Sequence, residues 1–442
     1  MIRGIFVFLH RWIGLAMTIF LLLVGLTGSI LAFRDELDHV LAPQFHATPR
    51  PGEPKLDLAT LAERGEALVP PGGLLMGVGM GADSARIVLM PKMLLGLETG
   101  EKPKLPLDQK TGKIDMGAMA ALMEKMSPAD MWMFVDPWTG TELPRRKMRG
   151  ELSEGLGNII SFIYWLHIHL TPIVPFFGGT ILGIVAVLWT IDCFVGFYLT
   201  LPPSRAGFWR KWRPAFAIKR GAGAYRLNFD LHRASGLWLW AMLLVFAWSS
   251  VMFNMKSVYE PVMKTLFDFR SSADYRIEAR EIAKSRSSNP HPSLGWRGAL
   301  AAGEQLMAVE ARTRGFAIGE PMLLLYDQKL GLYTYAVESD LAVALHRPGA
   351  TVRFDGATGE MFDFRAPTGE HAGNTVEAWL KALHKAEVFG LPYKIFVCIL
   401  GLVIAMLSVT GVYIWWKKRK ARRFHKARGA SSDASLEALT TE

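Results

Sequence analysis

Four histidines of this 442-residue chain stand at the edges of long apolar runs: His10, His167, His232 and His384. An imidazole at a membrane boundary serves as an interfacial polar group, a proton carrier or a metal ligand. Two facing histidines leave zinc or copper short of protein ligands, and no Cys, Asp or Glu accompanies these four at ligand spacing. Haem needs only two, because its porphyrin supplies four nitrogens and opposed imidazoles complete the iron. Bis-histidine iron has no vacant position, which favours electron transfer over oxygen chemistry. The chain has no C-x-x-C-H, so the haem is expected to be non-covalent, b-type.

Neighbouring residues fit a flat cofactor. Gly14 and Gly236 lie at i+4 from His10 and His232, on the same helical face, where a missing side chain makes room for a macrocycle or for helix packing. Arg11 and Arg233 suit propionates, or lipid phosphates reached by snorkelling. His169, two residues beyond His167, is the substitute or supporting group at the outer end. Asp192 is a lone acid inside an apolar run, suited to carrying protons, to balancing a cofactor charge or to pairing with Arg11 or Arg233. His39, His46, His291, His346 and His371 read as ordinary surface or loop residues, with substrate contact as the alternative. His425 belongs to a basic tail and receives no role.

Four runs long enough to span a bilayer must position these groups: Trp12–Phe33, Ile173–Leu201, Ala234–Met255 and Ile395–Trp416. The first holds 22 residues without a charge, about 33 Å as a helix, and has no cleavage signature, so it reads as a retained anchor. Trp12, Trp415 and Trp416 read as belt anchors at span ends. The loop Pro202–Arg226 carries seven Lys/Arg and no acid, and Lys417–Gly429 carries eight and no acid. By the positive-inside rule both are cytoplasmic, as are both termini. These fifteen bases account for the net charge of +10, which turns a nucleic-acid reading into a topology signal. His10 and His232 therefore lie at the inner side, and His167, His169 and His384 at the outer side. The two cysteines, Cys193 and Cys398, exclude a disulfide framework.

The chain also repeats itself. Leu9-His10-Arg11-x-x-Gly14-Leu15 returns as Leu231-His232-Arg233-x-x-Gly236-Leu237, and turn signals at Asp108 and Asp136 return at Asp327 and Asp355. His10/His232, Asp108/Asp327, Asp136/Asp355 and His167/His384 are offset by 222, 219, 219 and 217 residues. Parallel repeats follow, related by a pseudo-twofold along the membrane normal, which sets His10 opposite His232 and His167 opposite His384. The expected order is a first span (1–33), outer domain (34–158), lead-in helix and second span (159–201) and basic loop (202–226). The third span (227–255), second outer domain (256–378), lead-in helix and fourth span (379–416) and basic tail (417–442) complete it. Pro172 and Pro175, like Gly390 and Pro392, kink each lead-in helix before its span. Strands are expected at Arg86–Met90, Leu323–Tyr326, Leu332–Val337 and Val352–Phe354, and helices at Leu58–Leu68 and Leu300–Thr313. Pro49–Pro54 and Ser287–Gly295 read as loops, and the tail after Gly429 as disordered.

Together the LHRxxGL helix starts, the D-x-x-T-G hairpins and the Leu-His pairs at 166–167 and 383–384 resemble the PepSY-associated transmembrane proteins, over roughly residues 1–420. The resemblance implies an α-helical membrane protein: a four-helix transmembrane bundle from a duplicated helix–outer-domain–helix unit, with two α+β PepSY-like periplasmic domains. It further implies a bacterial inner-membrane location, ferric-siderophore reduction, and His10, His232, His167 and His384 as ligands of two b haems. The favoured expectation is electron transfer from a cytoplasmic protein, quinol or soluble donor to a periplasmic ferric siderophore, releasing iron(II). No nucleotide-binding motif opens a cytoplasmic helix, so the donor is separate. The alternatives are a membrane-anchored PepSY-type binding or regulatory protein without redox activity, and a transporter. The transporter ranks last, because only Asp192 is charged within a span.

Overall fold

Inside a bilayer a backbone must satisfy its own amides and carbonyls, so the apolar runs are expected as helices. The computed structural model describes residues 2–91, 131–147, 155–171, 173–174, 177–219, 221, 223–284 and 292–440. The Asp108 turn, Pro172, Pro175, His291 and part of the 287–295 loop lie outside them. In chain order the elements are α1 (Ile2–Leu31), α2 (Arg34–Leu41), α3 (Leu58–Glu66), β1 (Gly73–Met80), β2 (Ala85–Pro91), β3 (Met131–Val135) and β4 (Arg146–Lys147). Next come α4 (Ile159–His169), α5 (Gly178–Thr200), α6 (Phe208–Trp212), α7 (Ala224–Trp238), α8 (Trp240–Asn254), α9 (Lys256–Leu266) and α10 (Ser272–Lys284). The chain closes with α11 (Gly295–Arg314), β5 (Ile318–Asp327), β6 (Leu332–Ser339), β7 (Ala350–Asp355), β8 (Met361–Arg365), α12 (Ala372–His384) and α13 (Gly390–Thr440).

Two compact units emerge, a helical one (Met1–Phe33, Leu166–Tyr259, Leu383–Glu442) and a mixed one (Arg34–Trp165, Glu260–Ala382). In the helical unit, α1, α5 and the Gly390–Arg423 part of α13 are each long and apolar enough to cross a membrane. Helices α7 and α8 pass the same test only together, bent by 72° at Leu239. The straight third span expected from the sequence is therefore broken. Tryptophans on either side of the break are tied to different partners: Trp238 Nε1 donates to the Phe216 carbonyl (3.1 Å) and Trp240 Nε1 to that of Cys193 (2.9 Å). Helix α1 packs along α13 and α5 along α8. The α1–α13 crossing is tight because both sides are glycine. A Cβ on Gly25 would lie 2.7 Å from the Gly401 oxygen, and Ser29 Oγ donates across to Cys398 O at 2.8 Å. Helix α13 continues through the tail expected to be disordered. Lead-in helices α4 and α12 end at His169 and His384, short of the spans that follow, and positive φ at Leu170, Ala386 and Phe389 marks the breaks.

The mixed unit holds one antiparallel sheet of eight strands in the order β4-β3-β2-β1-β5-β6-β7-β8. Two separate outer domains were expected, but both outer segments enter this single sheet, joined where β1 pairs β5. Helices α3 and α11 share one core with it, including Leu61, Val78, Met133, Met307, Leu324 and Phe354. The expected turns at Asp136, Asp327 and Asp355 share one geometry: the Asp Oδ1 accepts the amides two and three residues on, and a glycine at φ 67–75° closes the turn. The Asp327 turn joins β5 to β6, and the turn at the matching place in the strand order of the first half is the β1–β2 turn at Gly81–Ser84.

Gly77 sits at the seam with φ 139°, and a Cβ there would stand 2.0 Å from the Leu324 carbonyl oxygen. Gly77→Val should destabilise the mixed unit by more than about 3 kcal/mol. Loss of protease resistance in Arg34–Trp165 and Glu260–Ala382, with the helical unit still resistant, checks this.

Candidate functional site

His10 near the start of α1 and His232 on α7 face each other, with ring centroids 6.0 Å apart and planes at 64°. His10 Nδ1 lies 2.9 and 3.0 Å from the two carboxylate oxygens of Asp192. His232 Nδ1 lies 3.0 Å from the Leu407 carbonyl oxygen and 3.1 Å from Thr410 Oγ1. Carboxylate and carbonyl oxygens only accept, so both Nδ1 atoms carry a proton, and neither Nε2 has a hydrogen-bond partner among the described residues. Each ring also rests on a glycine of the facing span: a Cβ on Gly196 would stand 3.5 Å from His10 Cε1, and one on Gly411 3.4 Å from His232 Cε1.

The outer histidines repeat the pattern. His167 Nδ1 is 2.8 Å from Thr27 Oγ1, and His384 Nδ1 is 2.7 Å from Ser249 Oγ. The Thr27 hydroxyl already donates to Leu23 O (2.8 Å), and the Ser249 hydroxyl donates to Phe246 O (3.1 Å). Each hydroxyl thus holds Nδ1 of its histidine, and Nε2 of both rings has no hydrogen-bond partner among the described residues. His384 also stacks on Phe246 at 4.8 Å, and the two outer histidines are close enough to interact electrostatically. His169 is directed elsewhere, its Nδ1 2.9 Å from the position of a Cβ on Gly179.

The inner pair passes a fit test for haem. Two metal–imidazole bonds of about 2 Å, plus roughly 1 Å from each ring centre to Nε2, sum to about 6 Å, the separation of the two rings. Open space lies at the glycine one turn on from each of these two histidines. A Cβ on Gly14 would meet nothing within 4 Å, and one on Gly236 only Leu407 Cδ2 at 3.9 Å. Arg11 is half-buried and enters no ion pair among the described residues, which leaves it for an anion. Arg233 Nη2 donates to Asp230 (2.9 Å), which is fully buried, and to the Pro214 carbonyl (2.8 Å), while its buried Nε has no hydrogen-bond partner among the described residues. Asp192 likewise pairs with His10, not with Arg11 or Arg233.

Sequence reasoning passed over Thr27, Ser249, Gly196, Gly411 and Asp230. A usable signal existed for two: Thr27 and Ser249 are offset by 222 residues, the same offset as His10 and His232. It also passed over a polar cluster in the mixed unit, where His39 and His46 stack at 3.9 Å beside Asp83, Asp38 and Arg146. Bonds to Asp38, then Asp83, push the His46 imidazole up to about 9. Burial opposes ionisation of Asp38, yet its bonds from His46 and Arg146 hold it down to about 2.

A search of curated protein sequences finds no match. The family model described as the PepSY-associated TM region matches residues 7–418, from just before His10 to just beyond the last span. With that match and its apolar helices, the chain is a membrane protein that belongs to the PepSY-associated transmembrane family.

Proposed function

We propose that this protein is a di-haem b electron-transfer protein of a bacterial inner membrane, reducing a ferric siderophore on the periplasmic side with electrons from the cytoplasmic side. One observation carries the reading: four histidines, paired by the repeat, all have Nδ1 held by an oxygen and Nε2 without a hydrogen-bond partner among the described residues, the orientation in which a histidine offers Nε2 to a metal. His10 and His232 would hold the inner haem, and His167 and His384 the outer one. Bound haem supplies one-electron chemistry. The chain's own part is placement: Asp192, the Leu407 carbonyl, Thr27 and Ser249 orient the rings, while Gly14 and Gly236 leave space beside them.

Placement on α1 also separates the two sets. His10 and Thr27 are 17 residues apart on one helix, an axial rise of about 26 Å, so the histidine sets lie near opposite ends of a crossing. The basic loop and tail orient His10 and His232 to the cytoplasm. The duplicated four-helix bundle gains support from the 222-residue offset that Thr27/Ser249 shares with His10/His232, and from a sheet that runs outward from β1 and β5 in matching order. Reduction of the substrate iron to iron(II) weakens its hold on hard oxygen ligands, which releases it.

Pyridine haemochrome assay on purified full-length protein tests the reading. Two haems per chain are expected, with b-type bands in reduced-minus-oxidised spectra. A content near one removes the outer site, and absence of haem removes the proposal.

A further inference from the structure

We propose that His39, His46 and Asp83 form a site for a divalent first-row transition-metal ion in the mixed unit, separate from the transmembrane histidines. The donor atoms of these three residues all lie within 4.8 Å of one another. Each comes from a different local element. His39 is on α2, His46 follows the 3₁₀ turn Pro43–Phe45 that folds it back onto the His39 ring, and Asp83 is in the turn between β1 and β2. The Ala47 amide donates to the Asp83 carbonyl at 3.0 Å, which ties that turn to the His46 segment.

The hydrogen bonds behind the donors are those of a metal site. His39 Nδ1 lies 2.7 Å from the Asp35 carbonyl oxygen and so must carry the proton. Its Nε2 is in close contact with Asp83 Oδ2, so a cation, either a proton or a metal ion, lies between the two. His46 adds Nδ1 at 3.3 Å from Asp83 Oδ1, near the spacing of about 3 Å expected for two donors on one ion with bonds of about 2 Å. Its other nitrogen, Nε2, lies 3.2 Å from Asp38 Oδ2, and Arg146 grips that carboxylate through two bonds of 2.8 Å. A carboxylate behind one ligand histidine and a carbonyl behind the other fix both rings in ligating orientation. Arg146 neutralises Asp38, so the ligand set is two histidines and one carboxylate with open positions, a set suited to Fe(II) and also accepted by Zn(II). The His39 side chain is 47% exposed, against 10% for Asp83, so the ion has a route in over a fixed floor.

The test uses full-length protein in detergent, stripped with EDTA and dialysed against Zn(II), with metal counted by mass spectrometry. Wild type should bind one Zn(II) per chain more than His39→Ala/His46→Ala, and Asp83→Asn should weaken that ion at least tenfold. His39→Ala alone, on a half-exposed side chain outside the core, should lose the same ion while keeping the metal-free melting profile. An anaerobic Fe(II) titration of the stripped protein assigns the ion: binding of either metal that depends on His39 upholds the site. Equal metal content in wild type and both histidine variants, for Zn(II) and Fe(II) alike, overturns it. Because the readout is a difference between variants that retain every transmembrane histidine, it holds whether or not the protein carries haem.

Discussion

Alanine at His232 should remove one haem per chain and leave the second in place, and alanine at His10 should do the same. Neither position has a substitute ligand. Among the described residues, the other polar groups touching these rings are Asp192, the Leu407 carbonyl and Thr410, all on the Nδ1 side. Asp192→Asn should keep the haem but raise the inner potential, since a carboxylate behind a ligand imidazole increases its donation to iron and its loss costs on the order of 10- to 100-fold in affinity. Gly14→Leu separates the cofactor reading from a purely structural one. A Cβ at Gly14 meets no protein atom within 4 Å, so a protein without haem should tolerate leucine with little change in stability. With haem beside His10, the same leucine should displace it. Spectra and melting curves of the four variants check these outcomes together, and a Gly14→Leu protein with full haem content would count against the inner site.

Much of this site was legible because its markers are local. The LHRxxGL starts, the glycine one turn after each histidine and the Asp-led turns each need only a few adjacent residues, and three of those turns appear with the same Oδ1-to-amide bonds. Contacts across sequence distance were harder to read. Nothing in the sequence marks Asp230, three residues before Arg233, as buried; only the fold buries it completely and pairs it with that arginine. His39 and His46 looked like surface residues because Asp83 is brought to them by a strand turn 37 residues beyond His46.

The two outer segments read as two domains for a related reason. Each has its own hairpins, and nothing local says that β1 will pair with β5. That seam rests on Gly77 and three residue pairs, from Gly77↔Leu325 to Gly79↔Leu323. A sheet grown outward from such a seam gives each half the same strand order, so the duplication is expressed in one core instead of two. The bend at Leu239 departs from the repeat, since the matching stretch of α1 is continuous. Trp238 and Trp240, on either side of the bend, are tied to the Phe216 and Cys193 carbonyls.

His167→Ala and His384→Ala should each abolish the outer haem, whereas His169→Ala should leave two haems per chain. The distinction rests on direction. His167 reaches Thr27 on α1, while the neighbouring ring lies against Gly179 at the start of α5, and two positions along a helix point to different faces. The hydroxyls supply a graded check. Thr27→Val and Ser249→Ala remove the hydroxyls that hold Nδ1 and leave both ligands in place, so the outer haem should bind roughly 10- to 100-fold more weakly. Thr27→Ser retains the hydroxyl and should bind as wild type. Measured haem retention on dilution orders the variants: wild type and Thr27→Ser first, Thr27→Val and Ser249→Ala between, His167→Ala and His384→Ala last. If His169→Ala lost the outer haem and His167→Ala kept it, the ligand would belong to the α5 side, and the symmetry linking Thr27 to Ser249 would describe helix packing alone.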